Sequence, residues 1–252
     1  MALDIGNTTT TVGLFRSSRL LLSTRFPSRL DLAVDECLEM LTSVMQKKLS
    51  ETSGVERAVI ASVVPRLTTI YTNTIEVKFG VRPIIVSATL PVGLKIGYRR
   101  PEQLGADRLA NAAAGFYLYG GPIVVVDLGT ATKFEVVTKK GEYLGGAIGP
   151  GVETASLDLV RKTALLPKVV LKKPKAAIGR STEEALQSGI LIGAAGAIDR
   201  MVAEIEKELG TKVKVIATGG LAKMVAGLSK RIQKVDPDLT LKGLRIIAER
   251  VK

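Results

Sequence analysis

The chain reads as an α/β protein made of two similar lobes. Three observations predict this. Strand-like and helix-like segments alternate along the chain. The stretch DIGNTTTTVGLF, from Asp4, recurs in outline as DLGTATKFEVV, from Asp127. The two acids lie 123 residues apart (127 − 4), about half of the 252-residue chain, as expected for a duplicated unit. The boundary is placed near Gly120–Pro122, giving lobes of residues 1–120 and 121–252. Each lobe is expected to present an acidic hairpin to a shared cleft.

Taken in order, TVGLF and RLLLSTRF read as strands around a turn. Val34, Cys37, Leu38, Leu41, Val44, Met45 and Leu49 fall at helical spacing, so Leu32–Leu49 is expected to be a helix. RAVIASVVP is a short buried strand stopped by Pro65. LTTIYTNTIEVKF follows as a helix and RPIIVSA as a strand. GADRLANAAAGFYLYG is a helix rich in small residues, closed by Gly120 and Gly121. PIVVVDLGTATKFEVV gives a strand, a turn and a strand. A hairpin through Lys139–Gly141 and the glycine-rich GGAIGPG come next. STEEALQSGILIGAAGAIDRMVAEIEKELG is a long helix capped by Ser181 or Thr182, with Glu184 in its first turn. KVKVIATGG is a strand running into a double-glycine turn.

Composition excludes several chemistries. There is no histidine, so a general base must be a carboxylate, Lys, Tyr or Cys. The single Cys37 excludes an internal disulfide and fits a reducing cytosol. No apolar run approaches the roughly 20 residues of a membrane span, and the start lacks a signal-peptide pattern. A cytoplasmic protein with no membrane partner is expected. The net charge of +12 suits anionic ligands. Aromatic residues make up only 4% and Trp is absent, which leaves little for base stacking, so no nucleic-acid partner is expected.

The paired hairpins carry the chemical argument. A glycine turn lets backbone N–H groups approach an anion, and threonine hydroxyls add donors to phosphate oxygens. An acid beside phosphate acts through a cation. Phosphate, cation and two lobes together read as ATP chemistry. The plainer alternative is a hairpin whose Asp4 and Asn7 bond their own turn. No P-loop is present, and GGAIGPG has the wrong spacing for a dinucleotide fold. Asp107, at a helix start, is either a capping acid or the base that accepts a hydroxyl proton in a kinase. Arg108 either binds a carboxylate with its planar fork or makes a surface ion pair.

DIGNT, GADR, DLGTAT and TGGLA, in this order and at these separations, resemble the type III pantothenate kinases. These belong to the acetate kinase, sugar kinase, Hsp70 and actin superfamily. VVP at Val63–Pro65, GGAIGPG, STEEALQSGI and VDPDLTLKGL match as well, so the resemblance runs nearly end to end. It implies two actin/ribonuclease H-like lobes and ATP-dependent phosphorylation of the 4′-hydroxyl of pantothenate, the first step towards coenzyme A. It implies that Asp4, Ile5, Gly6, Asn7, Thr8, Thr9, Thr10 and Thr11 cradle the ATP phosphates, with Asp4 indirectly organising Mg2+. Thr130 also touches ATP, and Gly219 and Gly220 lie near adenosine. Asp107 is the implied proton acceptor. Tyr98, Gly105, Ala106, Asp107, Arg108 and Thr182 hold pantothenate. Asp127 binds a monovalent cation, K+ or NH4+, and the protein is a homodimer.

Two positions depart from the pattern. Lys133 and Glu135 stand where the second hairpin usually carries its last Thr and its Asp. Lys133 puts a charge near the phosphates, aiding ATP or displacing the monovalent cation. Only three residues precede Asp4, which thins the first strand. Two rival readings are a non-catalytic relative and another superfamily enzyme, a sugar kinase or polyphosphate phosphatase. The intact Asp4, Asp107, Arg108 and Asp127 speak against the first, and the Tyr98–Arg108 block against the second.

Overall fold

The hairpin that opens the chain also starts its first sheet. Strands β1 (Ala2–Ile5), β2 (Thr9–Arg16) and β3 (Arg19–Pro27) form an antiparallel meander. After helix α1 (Val34–Gln46), strand β4 (Val59–Ser62) returns parallel to β1. Helix α2 (Pro65–Phe79) then leads to β5 (Ile84–Ile85), parallel to β4. The sheet order is β3-β2-β1-β4-β5. The computed structural model describes residues 1–46 and 54–251, so the end of the helix expected to reach Leu49 lies outside the described residues.

Local chemistry explains these limits. Pro65 sits in the first turn of α2, where its missing N–H costs nothing, and Gly80 closes the helix at φ +66°. Pro83 cannot donate to a ladder, so the expected strand RPIIVSA shrinks to the two residues of β5. Strand β6 (Lys95–Ile96) and a 3-10 turn at Pro101–Gln103 lead into helix α3 (Ala106–Tyr119).

The second unit repeats the path. Strands β7 (Ile123–Leu128), β8 (Ala131–Val137) and β9 (Glu142–Pro150) form an antiparallel meander. Helices α4 (Val152–Arg161) and α5 (Thr182–Leu209) follow. Strand β10 (Lys214–Thr218) then runs parallel to β7, and after α6 (Ala222–Ala226) strand β11 (Lys234–Val235) runs parallel to β10. The order β11-β10-β7-β8-β9 matches β5-β4-β1-β2-β3 strand for strand. The duplication read from two hairpins therefore extends to five strands of each sheet, the second sheet having six.

Each unit has its own core. In the first, Leu3, Ile5 and Val12 of the sheet meet Cys37, Leu41 and Val44 of α1 and Leu67, Tyr71 and Ile75 of α2. Burial pushes the Cys37 thiol up to about 11, which makes it a core residue rather than a nucleophile. In the second, Val124, Val126 and Val215 meet Leu191, Ala195, Ile198 and Val202 of α5. The compact units are Met1–Ala114 with Asp238–Lys252, and Gly115–Pro237. The division thus falls inside α3, ahead of the sequence boundary at Gly120–Pro122.

The last helix, α7 (Leu239–Arg250), belongs to the first unit and packs on β1, β2 and β4. Gly243 allows this. A Cβ there would lie 1.9 Å from the carbonyl oxygen of Ala110 in α3. Thr240 also donates to Asn111 Oδ1 at 2.8 Å, tying the same two helices. Gly243→Ala is expected to destabilise the protein by about 2 kcal/mol, because backbone overpacking outweighs the gain in helix propensity. Urea denaturation at neutral pH checks this.

Candidate active site

The first hairpin sorts its residues by face. Asp4 lies directly opposite Thr11, and Ile5 opposite Thr10. Neighbouring residues alternate in direction, so Asp4, Thr9 and Thr11 share one face while Ile5 and Thr10 point into the core. Ile5 and Thr10 are fully buried; Asn7 and Thr8 are exposed at the tip. The Gly6 N–H donates to Thr9 O at 3.0 Å and closes the turn. Ser28 braces it: its N–H donates to Thr8 O at 2.9 Å and its hydroxyl to Gly6 O at 2.6 Å. The hydroxyls of Ser28 and Thr10 lie 2.9 Å apart. Thr10 is thereby engaged in bracing its own turn, as the plainer reading supposed for Asp4 and Asn7. Nothing local in the sequence marks Ser28, which acts from 22 residues away.

The second hairpin has a similar turn, one residue tighter. The Gly129 N–H donates to Ala131 O at 3.2 Å, and Thr130 is exposed at the turn. Thr154 of α4 donates its hydroxyl to Thr130 O at 2.8 Å. Gly151 fits closely against the same turn, since a Cβ there would lie 2.3 Å from Thr130 O. Asp127 faces two neighbours in register, Lys133 on β8 and the buried Thr218 on β10. Lys133 Nζ lies 2.8 Å from Asp127 Oδ2, and both side chains are largely buried. Glu135 is fully buried, and its Oε2 accepts the Tyr143 hydroxyl at 2.6 Å. Gly219 has φ +95° and stands where a Cβ would lie 2.6 Å from the Leu128 backbone. Close strand packing therefore requires this glycine by itself. Gly220 is exposed with open space around it. The loop ends of the parallel strands β7 and β10 thus lie side by side, the usual place for a ligand in sheets of this kind.

The GADR segment forms the start of α3. Asp107 is half-buried in the first turn, a favourable position for a carboxylate. Gly105 makes room for it, because a Cβ at 105 would lie 2.6 Å from Asp107 Oδ1. Ala106 is buried. Arg108 is only 6% exposed, so it is not the surface ion pair of the plainer reading. Its guanidinium sits 5.8 Å from the centroid of the Tyr98 ring, a cation–π contact. Tyr98, Gly105, Asp107 and Arg108 are thus gathered in one unit. Thr182 lies in the other, exposed at the start of α5. Ser181 is the cap: its hydroxyl accepts Glu184 N–H at 3.2 Å, and Glu184 reaches back to Arg180 N–H at 2.7 Å.

Residues 1–204 match the family model described as type III pantothenate kinase. The chain belongs to that family. A type III pantothenate kinase of Dehalococcoides mccartyi (strain CBDB1) is 40% identical over 247 residues, covering 98% of this chain and 94% of the relative. One of Moorella thermoacetica is 40% identical over 253 residues, covering 99% and 98%. Among solved structures, a Baf family transcriptional activator from Campylobacter jejuni superposes with a TM-score of 0.62 at 21% identity, covering 98% and 96%. A ROK hexokinase from Thermus thermophilus gives 0.53 at 14% identity, covering 98% and 97%. These two likenesses speak for the fold, which is that of the actin-like and sugar kinase proteins.

A type III pantothenate kinase uses ATP with a divalent metal. Among the described residues no group of three or more acidic or cysteine side chains clusters to hold a metal alone. Asp4, partly exposed beside Thr11, suits an indirect contact with a divalent ion bound to nucleotide phosphates. The expected monovalent cation fits less well. Its seat at Asp127 holds the ammonium of Lys133, and the Glu135 carboxylate is buried against Tyr143. Among the described residues no helix is long and apolar enough to cross a membrane.

Proposed function

We propose that this chain transfers the γ-phosphoryl group of ATP to the 4′-hydroxyl of pantothenate, working as a cytoplasmic homodimer. The single observation that supports this most is the GADR helix start, with a carboxylate seated by Gly105 next to a buried guanidinium. Asp107 accepts the hydroxyl proton as the 4′-oxygen bonds to Pγ and the bond from Pγ to ADP breaks. A bound divalent metal supplies charge stabilisation on the phosphates. Asp4–Thr11 hold the phosphates, using the Gly6 turn, the exposed tip residues and the hydroxyls of Thr9 and Thr11. The core positions of Ile5 and Thr10 assign them to shaping this loop. Gly219 and Gly220 border adenosine. Arg108 binds the pantothenate carboxylate, with Tyr98 fixing its plane. With little covalent work left to the protein, positioning and charge carry the rate.

The test is ADP release from MgATP by the purified chain, offered pantothenate, glucose or mannose in turn. Release with pantothenate alone supports the reading. Turnover of a sugar with pantothenate ignored overturns it, as does ATP binding without turnover of any substrate. Arg108→Ala is expected to raise the KM for pantothenate about 10- to 100-fold with the KM for ATP unchanged, the size of a lost charge-assisted bond. An effect confined to ATP removes Arg108 from the pantothenate site.

A further inference from the structure

The second hairpin carries a fixed cation of its own. Lys133 lies directly across from Asp127 in the antiparallel ladder, so both side chains leave the same face of the sheet. The ammonium reaches Oδ2 at 2.8 Å, and the two side chains are 17% and 12% exposed. An ion pair this buried is weakly screened and persists at ordinary salt. It sits at the ends of β7 and β10, two residues before the turn that starts at Gly129 and level with Thr218, which precedes the Gly219–Gly220 turn. Glu135, two residues further along β8 on the same face, is held by Tyr143. Potassium, ammonium and a lysine ammonium carry the same charge and take oxygen ligands. A free ion brought to Asp127 meets like charge from Lys133.

We propose that Lys133 is a built-in cation: its ammonium takes the seat at Asp127 and gives the ATP phosphates the positive charge a free monovalent ion would give. Nucleotide binding and turnover are then independent of potassium and ammonium. This rests on the proposed ATP chemistry. Lys133 acts on the phosphates directly, and Asp127 is its positioning residue. The arrangement trades an exchangeable ion for one tethered in place, which cannot be diluted away.

The experiment measures MgATP binding by calorimetry, and turnover with pantothenate, in choline, sodium, potassium and ammonium chloride at one ionic strength. For the wild-type chain the dissociation constant and rate should vary by less than about twofold across the four salts. Lys133→Thr should lose about tenfold or more in both in choline and recover in potassium or ammonium, since the lost charge stabilises phosphate. A wild-type chain that needs potassium or ammonium for binding or turnover overturns the proposal, as does failure to bind MgATP in every salt. If Lys133→Thr does not fold, the wild-type series decides alone. If pantothenate is never phosphorylated, the proposed function falls, while the binding series still decides the role of Lys133.

Discussion

Asp107→Asn is expected to bind MgATP within about twofold of wild type while turnover falls about 10²- to 10⁴-fold, the range for loss of a general base. The amide keeps the shape of the carboxylate and its place in the first turn of α3, but it cannot take a proton. No histidine exists to substitute for it. The nucleotide contacts are assigned to other segments, so binding should survive. Gly105→Ala should give part of the same loss, because its Cβ would lie 2.6 Å from Asp107 Oδ1 and would displace the carboxylate. A coupled ADP assay with calorimetric ATP titration separates the two effects. Unchanged turnover in Asp107→Asn removes this residue from the base role.

Glu206→Gln is expected to cost about 3 kcal/mol of stability at pH 7, the scale for breaking a buried pair from one side. Glu206 ends the long helix α5, and its carboxylate is 9% exposed. One oxygen pairs with Lys212 at 2.9 Å and with Arg231; the other accepts Val213 N–H at 3.1 Å. Burial by itself pushes the carboxyl pKa up. The bonds from Lys212, Arg231 and Val213 together outweigh it and bring the value down to about 2, from an ordinary 4.5. A carboxylate depressed on folding stabilises the native state above its ordinary pKa, and that contribution fades as pH falls towards the folded value. The stability gap between wild type and Glu206→Gln should therefore narrow between about pH 5 and pH 2. Chemical denaturation across that range measures it. A gap that stays constant assigns the loss to packing instead of charge.

Particular elements show how far local signals reach. The strands of both hairpins, the helices α2, α3 and α5 and the Ser181–Glu184 cap were legible, because alternation, proline, glycine and cap residues act over a few residues. The helices α4, α6 and α7 were not read from the sequence. α6 is five residues long, and α4 follows the glycine-rich GGAIGPG, which carries no helix signal. α7 begins inside VDPDLTLKGL, a stretch that stands out by its motif and not by helical spacing. Asp4, Asp107, Arg108 and Asp127, the candidate site residues, were legible only as charged residues of two hairpins and a helix start. Their surroundings were not. The Ser28 brace, the Tyr143–Glu135 bond and the Asn111–Thr240 tie span 8 to 129 residues, too far for a local pattern to signal.

The amino-acid sequence by itself determined the α/β class, the repeated acidic hairpin and the family, since each is written in short runs of residue type and their order. Only the tertiary structure decided that Asp238–Lys252 folds back onto the first unit, that Thr10 turns inward while Thr9 and Thr11 do not, and that the Lys133 ammonium sits on Asp127. These depend on register and on which face a side chain leaves. A chain acquires both only when distant strands pair, because a shift of one residue reverses every side chain on a strand.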